Sequence, residues 1–493
     1  MNTIVPVPRI AGRRPTGSRP LPDPPGPRGH FVLGNAPALW RDPTRTFLDG
    51  ARRYGDVVHF SLGGPFHSYL LAHPDHVKHV LQEQHQRYAK PPYQNLKLKN
   101  LVGESVLTSE GDSWLRRRRL AQPAFHRQRV AAFGSAMTDA CLAQLRTWEG
   151  AAQQSAPLDV AQEMSRLTLT IVARTLLGAD VTHDADLIGK AVTTALEHLN
   201  RRMQSYLDLD ALPLPSSKRF RRAVAQLDGI VYRIIAEHRR ASADSGHNKQ
   251  ANAGDFLGLL LEARDADTGE GMSDRQLRDE VMTVFLAGHE TTAILLTWTL
   301  YLLSRHPEVA RRLRQEIATV LAGRVPTVLD LPNLRYTTMI LEETLRLYPP
   351  AWALSRMAID DDEVGGYRIR AGSLVFLSPY VTHRHPAFWE NPEGFDPQRF
   401  AEPPASEPPA SEPATGEPTE ARRPRFAYFP FGGGPRQCIG NTFAMMEAQL
   451  LLPTILQRFQ LDLVPGHRVA LQPMITLRPR YGMLMRVRPA SER

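Results

Sequence analysis

The chain has 493 residues, 42% of them hydrophobic and 8% aromatic, so it is long enough to enclose a large core and a cofactor. The formal net charge of +9 is compatible with nucleic acid, anionic lipid or an acidic protein as partner. No nucleic-acid-binding module is legible, and the basic residues do not alternate with aromatic ones, which favours an acidic protein over nucleic acid; an ordinary solvated surface is the alternative. Two cysteines, Cys141 and Cys438, exclude a disulfide framework.

The first 27 residues are rich in proline and arginine and end in Pro24-Pro25-Gly26-Pro27. This composition predicts a flexible lead-in with polyproline character, followed by a single domain over residues 28–493. The segment contains neither the apolar core of a secretory signal nor an apolar span of about 20 residues. The sequence therefore predicts a cytoplasmic protein without a membrane anchor.

Two types of periodicity follow along the chain. Short apolar runs over about 55–72, around a glycine turn at Gly63-Gly64, predict two strands. From about 105 to 350 the apolar periodicity is helical. Within that region Trp114 and Arg118 are four residues apart, so they are neighbours on one helix face.

A long helix is predicted to begin at Ser273, where Gln276 completes a capping box, and to end near Arg305. Its apolar stretch over 281–303 is interrupted by polar residues, which predicts a buried helix rather than a membrane span. The hexapeptide Ala287-Gly288-His289-Glu290-Thr291-Thr292 places poor helix formers in the middle of this helix. Such local rule-breaking is typical of functional sites, and a kinked core helix is the alternative.

A second helical motif is Glu343-Thr344-Leu345-Arg346, whose spacing puts a carboxylate and a guanidinium on one face. Such pairs are common on solvated helices, so the motif alone indicates little. Strand-like patches return near 366–369, 374–377 and 470–487. Residues 401–420 read AEPPASEPPASEPATGEPTE, a composition that predicts a disordered surface insertion at about 401–424.

The most informative stretch is Phe431-Gly432-Gly433-Gly434-Pro435-Arg436-Gln437-Cys438-Ile439-Gly440, a glycine-rich loop ahead of a helical pattern. A thiolate at Cys438 can ligate a metal, and backbone N–H groups and the helix N-terminus favour the deprotonated sulfur. Glycine permits the left-handed backbone and close approach that such a loop needs. An ordinary buried cysteine beside a glycine turn is the alternative.

This stretch fills every fixed position of the haem-binding loop of the cytochrome P450 family, Phe-Gly-x-Gly-x-Arg-x-Cys-x-Gly. The mid-helix hexapeptide resembles the family's oxygen-activation segment, and Glu343–Arg346 resembles its Glu-x-x-Arg motif. The chain resembles the family from about Pro24 to its C-terminus. The resemblance implies a mainly α fold with small β-sheets, a cytochrome P450-like fold that encloses haem b between the long helix and the cysteine loop.

The resemblance also implies roles for individual residues. Cys438 is the metal ligand, whose thiolate favours O–O cleavage. The loop residues that shape its surroundings are Phe431, Gly432, Gly434 and Gly440. Thr291 holds dioxygen and a proton-bearing water, Glu290 brings protons in, and Thr292 serves packing.

Two sets of charged residues are implied as well. The expected donors to the haem propionates are Trp114, Arg118, Arg356 and Arg436. The expected structural charge network is Glu343, Arg346 and Arg399, with Arg399 taken from Phe395-Asp396-Pro397-Gln398-Arg399-Phe400. The remaining arginines of the 114–119 stretch, Arg116, Arg117 and Arg119, are expected to point toward the surface. His383 and His385 are expected to be structural.

The implied reaction inserts one atom of O2 into a lipophilic small molecule, by hydroxylation or epoxidation, and reduces the other atom to water. The favoured substrate is a terpenoid or another secondary-metabolite scaffold, with a fatty acid, steroid or polyketide as alternatives. The two cysteines cannot supply a four-cysteine iron–sulfur cluster, so electrons from NAD(P)H are expected through an external ferredoxin and ferredoxin reductase, to a monomeric enzyme. Two other functions stay open: a peroxide-using peroxygenase or isomerase, and a non-catalytic haem-binding sensor or carrier.

Overall fold

The computed structural model describes residues 21–154, 156–181, 184–203, 214–244, 255–264, 269–401 and 423–490. Its helices are α1 (Ala36–Arg41), α2 (Pro43–Tyr54), α3 (Pro74–Lys78), α4 (Pro92–Val102), α5 (Gly111–Ala121), α6 (Arg127–Ala132), α7 (Gly134–Gln154), α8 (Val160–Leu176), α9 (Ala185–Met203), α10 (Pro215–Asp244), α11 (Phe256–Glu262), α12 (Asp274–Arg305), α13 (Pro307–Leu321), α14 (Arg335–Leu347), α15 (Pro379–Thr382) and α16 (Asn441–Arg458). Its strands are β1 (Val57–Ser61), β2 (His67–Leu71), β3 (Tyr88–Ala89), β4 (Pro157–Asp159), β5 (Leu354–Ala358), β6 (Asp362–Val364), β7 (Tyr367–Ile369), β8 (Leu374–Leu377), β9 (Phe459–Leu463), β10 (Leu471–Pro473), β11 (Leu477–Pro479) and β12 (Leu484–Pro489). The predicted mainly α fold with small β-sheets is confirmed.

The central element is α12, which behaves as its sequence predicts. The Ser273 hydroxyl accepts the Gln276 N–H at 3.3 Å, and the Gln276 side chain accepts the Ser273 N–H at 2.8 Å. Among the described residues α12 is the one helix long and apolar enough to cross a membrane, and 78% of its apolar window is buried inside the protein. It packs against α8, α10, α14 and α16, so the prediction of a buried core helix is confirmed.

The largest sheet has the strand order β1-β2-β8-β5-β3. Strands β2 and β8 are parallel, and the other neighbours are antiparallel. Gly63 and Gly64 form the predicted turn between β1 and β2, both with a positive φ. A second sheet has the order β4-β12-β9, and the pairs β6–β7 and β10–β11 form two-stranded sheets. The strands predicted near 366–369, 374–377 and 470–487 are all present.

The start of the described chain differs from the sequence prediction. The Pro22 carbonyl accepts the Arg368 N–H at 3.0 Å, the Pro25 carbonyl accepts the His59 N–H at 2.8 Å, and Asp23 pairs with Arg370. Residues 21–27 therefore lie against the sheets, and the predicted domain boundary at residue 28 is too late. The lead-in before residue 21 and residues 402–422 of the insertion predicted at about 401–424 lie outside the described residues.

The cysteine loop leads directly into a helix that α12 contacts. It ends where α16 begins, at Asn441, and the Glu343–Arg346 motif lies on α14. Because α12 packs against both α14 and α16, the fold brings the mid-helix hexapeptide and the cysteine loop into one region of the core.

Candidate active site

Two glycines allow the cysteine loop to adopt its backbone conformation. Gly432 and Gly434 have φ values of 71° and 66°, in the left-handed region that other residues avoid. A Cβ on Gly434 would lie 1.8 Å from the Leu81 carbonyl oxygen, so no larger residue fits there. The Cys438 N–H donates to the Phe431 carbonyl at 2.9 Å, and Gly440 is the N-cap of α16. These contacts fix the position of the Cys438 side chain.

The Cys438 thiol is accessible, and the surrounding protein perturbs its pKa. The residue is exposed by surface area, yet burial raises the pKa of its thiol. A thiol that is accessible and whose pKa is nevertheless raised by burial lies among protein atoms rather than in bulk solvent. The Gly440 N–H and the Arg118 guanidinium act in the opposite direction and favour the thiolate.

The predicted charge network is assembled beside the loop. Arg346 donates to both carboxylate oxygens of Glu343, at 2.6 and 2.7 Å, and both side chains are fully buried. Arg399 Nε lies 3.5 Å from Glu343 Oε1. The other donors of Arg346 are satisfied by the carbonyl oxygens of His383, Pro392 and Gly394. The network thus joins α14 to the chain between residues 383 and 399.

The two histidines near this network have structural contacts. His383 Nε2 accepts the Phe429 N–H at 2.9 Å, two residues before the cysteine loop. Burial and two neighbouring arginines hold the pKa of His383 well below its usual value, so the neutral ring accepts this bond. His385 Nε2 lies 2.8 Å from Asp56.

The predicted propionate donors on α5 lie against the cysteine loop. The Arg118 guanidinium donates to the Gln437 carbonyl at 3.0 Å, immediately before Cys438. The Arg436 guanidinium lies 4.3 Å above the Trp114 ring. The structure thus brings Trp114, Arg118 and Arg436 together around the loop.

Arg356 and Arg436 form a cluster with a cation that sequence reasoning missed, Lys90. Burial, with Arg436 close by, lowers the pKa of Lys90 to about 7 and that of Arg356 to about 10. Within the described residues, Glu110 is the carboxylate whose charge acts on all three cations and opposes the lowering of their pKa values, and it pairs with Arg436. The cluster therefore keeps an excess of positive charge beside a thiol. An iron porphyrin with two carboxylates is a chemical match for this donor set, so the residues fit haem.

The two predicted catalytic residues of the mid-helix hexapeptide, Thr291 and Glu290, differ in their accessibility. The Thr291 hydroxyl donates to the Ala287 carbonyl at 2.9 Å and stands on the accessible side of α12. Glu290 is 6% exposed, and its Oε1 accepts from Arg478 Nε at 2.7 Å and from the Thr476 hydroxyl. The hydroxyl is thus accessible, whereas the carboxylate is held by two residues at the β11 region.

One expectation about α5 is wrong. Arg117 does not point to the surface: it is 8% exposed and pairs with the buried Glu280 of α12 at 3.0 Å. Arg119 is exposed, as predicted, and Arg116 is half-buried. Arg117 faces inward because α11 packs against α5 and Glu280 of α12 lies within ion-pair distance, tertiary contacts that a run of four arginines does not reveal.

Three residues at the site were not identified from the sequence: Lys90, Arg478 and Glu447. Glu447 is fully buried on α16, and Thr292 of α12 approaches its carboxyl. A weak signal existed for Glu447, since it is a single acid in the apolar run of α16. No local pattern distinguishes Lys90 or Arg478, because their partners are distant in the chain.

A cysteine loop beside an excess of half-buried positive charge, with an alcohol and a carboxylate on a central helix, defines a haem-thiolate protein. Residues 24–486 match the family model described as cytochrome P450. Cyclooctatin synthase of Streptomyces melanosporofaciens is 36% identical over 453 residues, with 92% of each chain covered. Cyclooctat-9-en-7-ol 5-monooxygenase of the same organism is 35% identical, with 88% of each chain covered.

Solved structures give the same result. The crystal structure of the cytochrome P450DA heme domain matches with a TM-score of 0.81 and 30% identity, covering 96% of this chain and 98% of that one. The chain belongs to the cytochrome P450 family. It is a cytochrome P450 monooxygenase that uses haem and O2.

Proposed function

We propose that this monooxygenase hydroxylates or epoxidises a terpenoid or related secondary-metabolite scaffold, as a cytoplasmic monomer that receives electrons from an external ferredoxin and ferredoxin reductase. The observation that carries the haem chemistry is the accessible Cys438 sulfur beside the cluster of Lys90, Arg356 and Arg436. The substrate class is supported by the relatives, which are named for cyclooctatin and cyclooctat-9-en-7-ol. By its name, the second compound is a carbocyclic alcohol.

Each side of the cofactor has its own residues in this proposal. Cys438 holds the iron through Sγ, within the loop shaped by Gly432, Gly434 and Gly440. The residues that hold the two carboxylates are Trp114, Arg118, Arg356 and Arg436, with Lys90 added. Haem, when bound, supplies the activation of O2 and the insertion of one oxygen atom into the substrate.

The protein's part in the reaction is to deliver protons and exclude water. Thr291 Oγ donates to the Ala287 carbonyl, so its lone pairs remain available to accept a hydrogen bond from water. Glu290 is the proposed proton source for that water. Because Arg478 and Thr476 both hold Glu290 Oε1, the other carboxylate oxygen, Oε2, is the one proposed to contact that water.

A basic surface beside the cysteine loop supports the proposal that the electron donor is an acidic protein. Arg425 is exposed and, with Phe431 and Gln437, lines a cavity of about 220 Å³ next to the loop. Arg119 is exposed on α5, one residue after the loop contact Arg118. Cations at this position, together with the net charge of +9, suit electrostatic steering of an acidic protein.

Turnover under three electron supplies tests the proposal. Haem-loaded protein is incubated with a terpenoid panel and O2 plus ferredoxin, reductase and NAD(P)H, with hydrogen peroxide alone, or with O2 alone. We expect oxygenated product in the first condition. Product with peroxide alone indicates the peroxygenase, and haem binding without turnover or O2 consumption in any condition indicates a sensor or carrier.

A spectral titration of the ferric protein identifies the substrate class independently of electron supply. Terpenoids are compared with fatty acids, steroids and polyketides of similar size. Saturable shifts of the Soret band confined to one of the other classes would contradict the terpenoid assignment while leaving the monooxygenase assignment intact.

A further inference from the structure

The segment Gly103–Glu110 between α4 and α5 is a loop whose buried side chains are polar and hold it by hydrogen bonds. Ser105 and Thr108 are fully buried, and Ser109 is almost so. The Thr108 hydroxyl accepts the Ser105 N–H at 2.9 Å and donates to the Gly103 carbonyl at 2.7 Å. The Ser109 hydroxyl donates to the Ser105 carbonyl at 2.7 Å. A loop of this kind keeps its shape only while its hydrogen bonds are made.

One end of the segment is bound by a carboxylate of α12. Both oxygens of Glu280 lie 3.1 Å from the Val106 nitrogen, and Oε1 accepts from Arg117 of α5 at 3.0 Å. Glu280 is fully inaccessible and Arg117 is nearly so. The Glu280 carboxylate therefore connects α12 to both the segment Gly103–Glu110 and α5.

The two residues before Glu280 bind the same end. Asp279 Oδ2 accepts the Glu104 N–H at 2.9 Å, and Arg278 Nη2 donates to the Leu101 carbonyl at 2.9 Å. A Cβ on Gly103 would lie 2.0 Å from the Asp279 carboxylate, so glycine is required where the carboxylate approaches. Three consecutive ionic side chains of α12 are thus committed to this segment and its flanks.

The other end of the segment orients cations of the proposed haem site. The Ser109 carbonyl accepts from Arg436 at 3.2 Å and lies 3.4 Å from Lys90 Nζ. Lys90 Nζ also donates to the Leu107 carbonyl, and the Glu110 carboxylate pairs with Arg436. Any displacement of this segment moves the carbonyl and carboxylate oxygens that orient Lys90 and Arg436.

We propose that Glu280 is a positioning residue: with Arg117 it holds Gly103–Glu110 in place, and through that segment it orients Arg436 and Lys90 toward the haem carboxylates. The proposal rests on the proposed haem site at Cys438. It assigns Glu280 no contact with substrate or cofactor. It links the α12 turn before the hexapeptide to retention of the cofactor rather than to proton delivery.

The test combines hydrogen exchange with the rate of haem loss. Glu280→Gln removes the charge that pairs with Arg117 and keeps the size of the side chain. We expect faster amide exchange at Glu104–Ser109, with or without haem, and roughly tenfold faster transfer of haem to an apoprotein acceptor. The Soret band of the reduced carbon monoxide complex should be unchanged, because Cys438 is not affected.

Two further variants separate positioning from general destabilisation. Asp330→Asn is the matched control, since it neutralises another buried carboxylate paired with an arginine, Arg324, in the segment Val328–Asn333. It should leave both readouts unchanged. Thr108→Val removes the hydroxyl that holds the segment together and changes no charge. It also provides a test if Glu280→Gln does not fold. It should move both readouts in the same direction.

Two results overturn the proposal: amides of 104–109 that stay protected in Glu280→Gln, or amides that exchange faster while haem loss keeps its wild-type rate. For Thr108→Val the same two results count against it. Failure of the proposed function is a distinct outcome, because wild-type protein would then bind no haem at Cys438.

Discussion

Two Glu-x-x-Arg pairs lie on consecutive helices, and their surroundings are opposite. On α13, Glu308 and Arg311 are in contact, with side chains that are 79% and 66% exposed. On α14, Glu343 and Arg346 are in contact with no exposure at all. The spacing is identical and the helical geometry is the same, so the pattern alone does not separate a surface ion pair from a structural element.

The two ion pairs differ because another segment of the protein covers the pair on α14. Arg346 has carbonyl partners at His383, Pro392 and Gly394, between 37 and 48 residues away in sequence. The Arg311 side chain is instead 66% exposed. Burial of an ion pair is tolerated only when the remaining donors are satisfied. The same contrast applies to other pairs of like residues in this protein.

The largest effect is expected for the two cysteines. Cys438→Ser should abolish the long-wavelength Soret band of the reduced carbon monoxide complex, because a serine hydroxyl does not replace the thiolate. Cys141→Ser is the matched control: Cys141 lies fully buried in α7, and burial raises its pKa. That variant should keep the band and lose about 1–3 kcal/mol of stability, since it buries a hydroxyl. A band retained by Cys438→Ser would refute the ligand assignment.

The two arginines come next. Arg346→Met leaves the Glu343 carboxylate without its bidentate partner and three carbonyls without a donor, so it should cost about 3–5 kcal/mol or prevent folding. Arg311→Met removes the partner of an exposed carboxylate and should leave the free energy of unfolding almost unchanged, because both side chains are solvated. Urea denaturation of both haem-loaded variants measures the difference. Equal losses of stability would mean that burial does not determine how much this ion pair stabilises the protein.

A third contrast concerns glutamates on α16 and α13. Glu447 is fully buried, and within the described residues neither of its oxygens has a hydrogen bond of good geometry. Burial raises its pKa well above the usual value, and Thr292 offsets only part of this. Folded Glu447 therefore keeps a proton that the unfolded chain releases near pH 4.5, so the free energy of unfolding falls as pH rises above that value.

Glu447→Gln keeps the shape of the side chain but does not titrate. Its stability relative to wild type should increase between pH 5 and pH 7, by up to about 1.4 kcal/mol per pH unit. Melting temperatures of both proteins at several pH values measure this, with the exposed Glu308→Gln as the control that should follow wild type. A constant difference across this range would show that Glu447 is ionised in the folded protein.

These contrasts also show what the sequence predicts and what it does not. The ends of α12, its burial and the turn at Gly63-Gly64 follow from local rules of capping, periodicity and glycine conformation, and all were predicted. The cysteine loop was recognised because its chemistry lies within ten residues. Local patterns of this kind are independent of how distant parts of the chain meet.

The missed features are contacts between distant segments. Arg478 reaches Glu290 from 188 residues away, and Arg117 reaches Glu280 across 163. Lys90 joins the cation cluster only because the segment before Glu110 folds over it. In each case the residue type is ordinary on a protein surface, and its role depends on a partner that sequence spacing does not identify.

The smallest expected effect concerns two threonines of α12 that differ only in what they face. Thr291 and Thr297 both donate to the carbonyl four residues earlier, at 2.9 and 2.7 Å, but Thr297 is buried in the core. Thr291→Ala should keep haem binding and lower product formed per NAD(P)H by about tenfold, with the lost electrons recovered as peroxide; this is less than the 10²–10⁴ typical of a direct general acid, because water can substitute in part for the hydroxyl. Thr297→Ala should keep the wild-type yield. If both variants have the wild-type yield, the Thr291 hydroxyl does not hold the proton-bearing water, and Glu290 must deliver protons by another route.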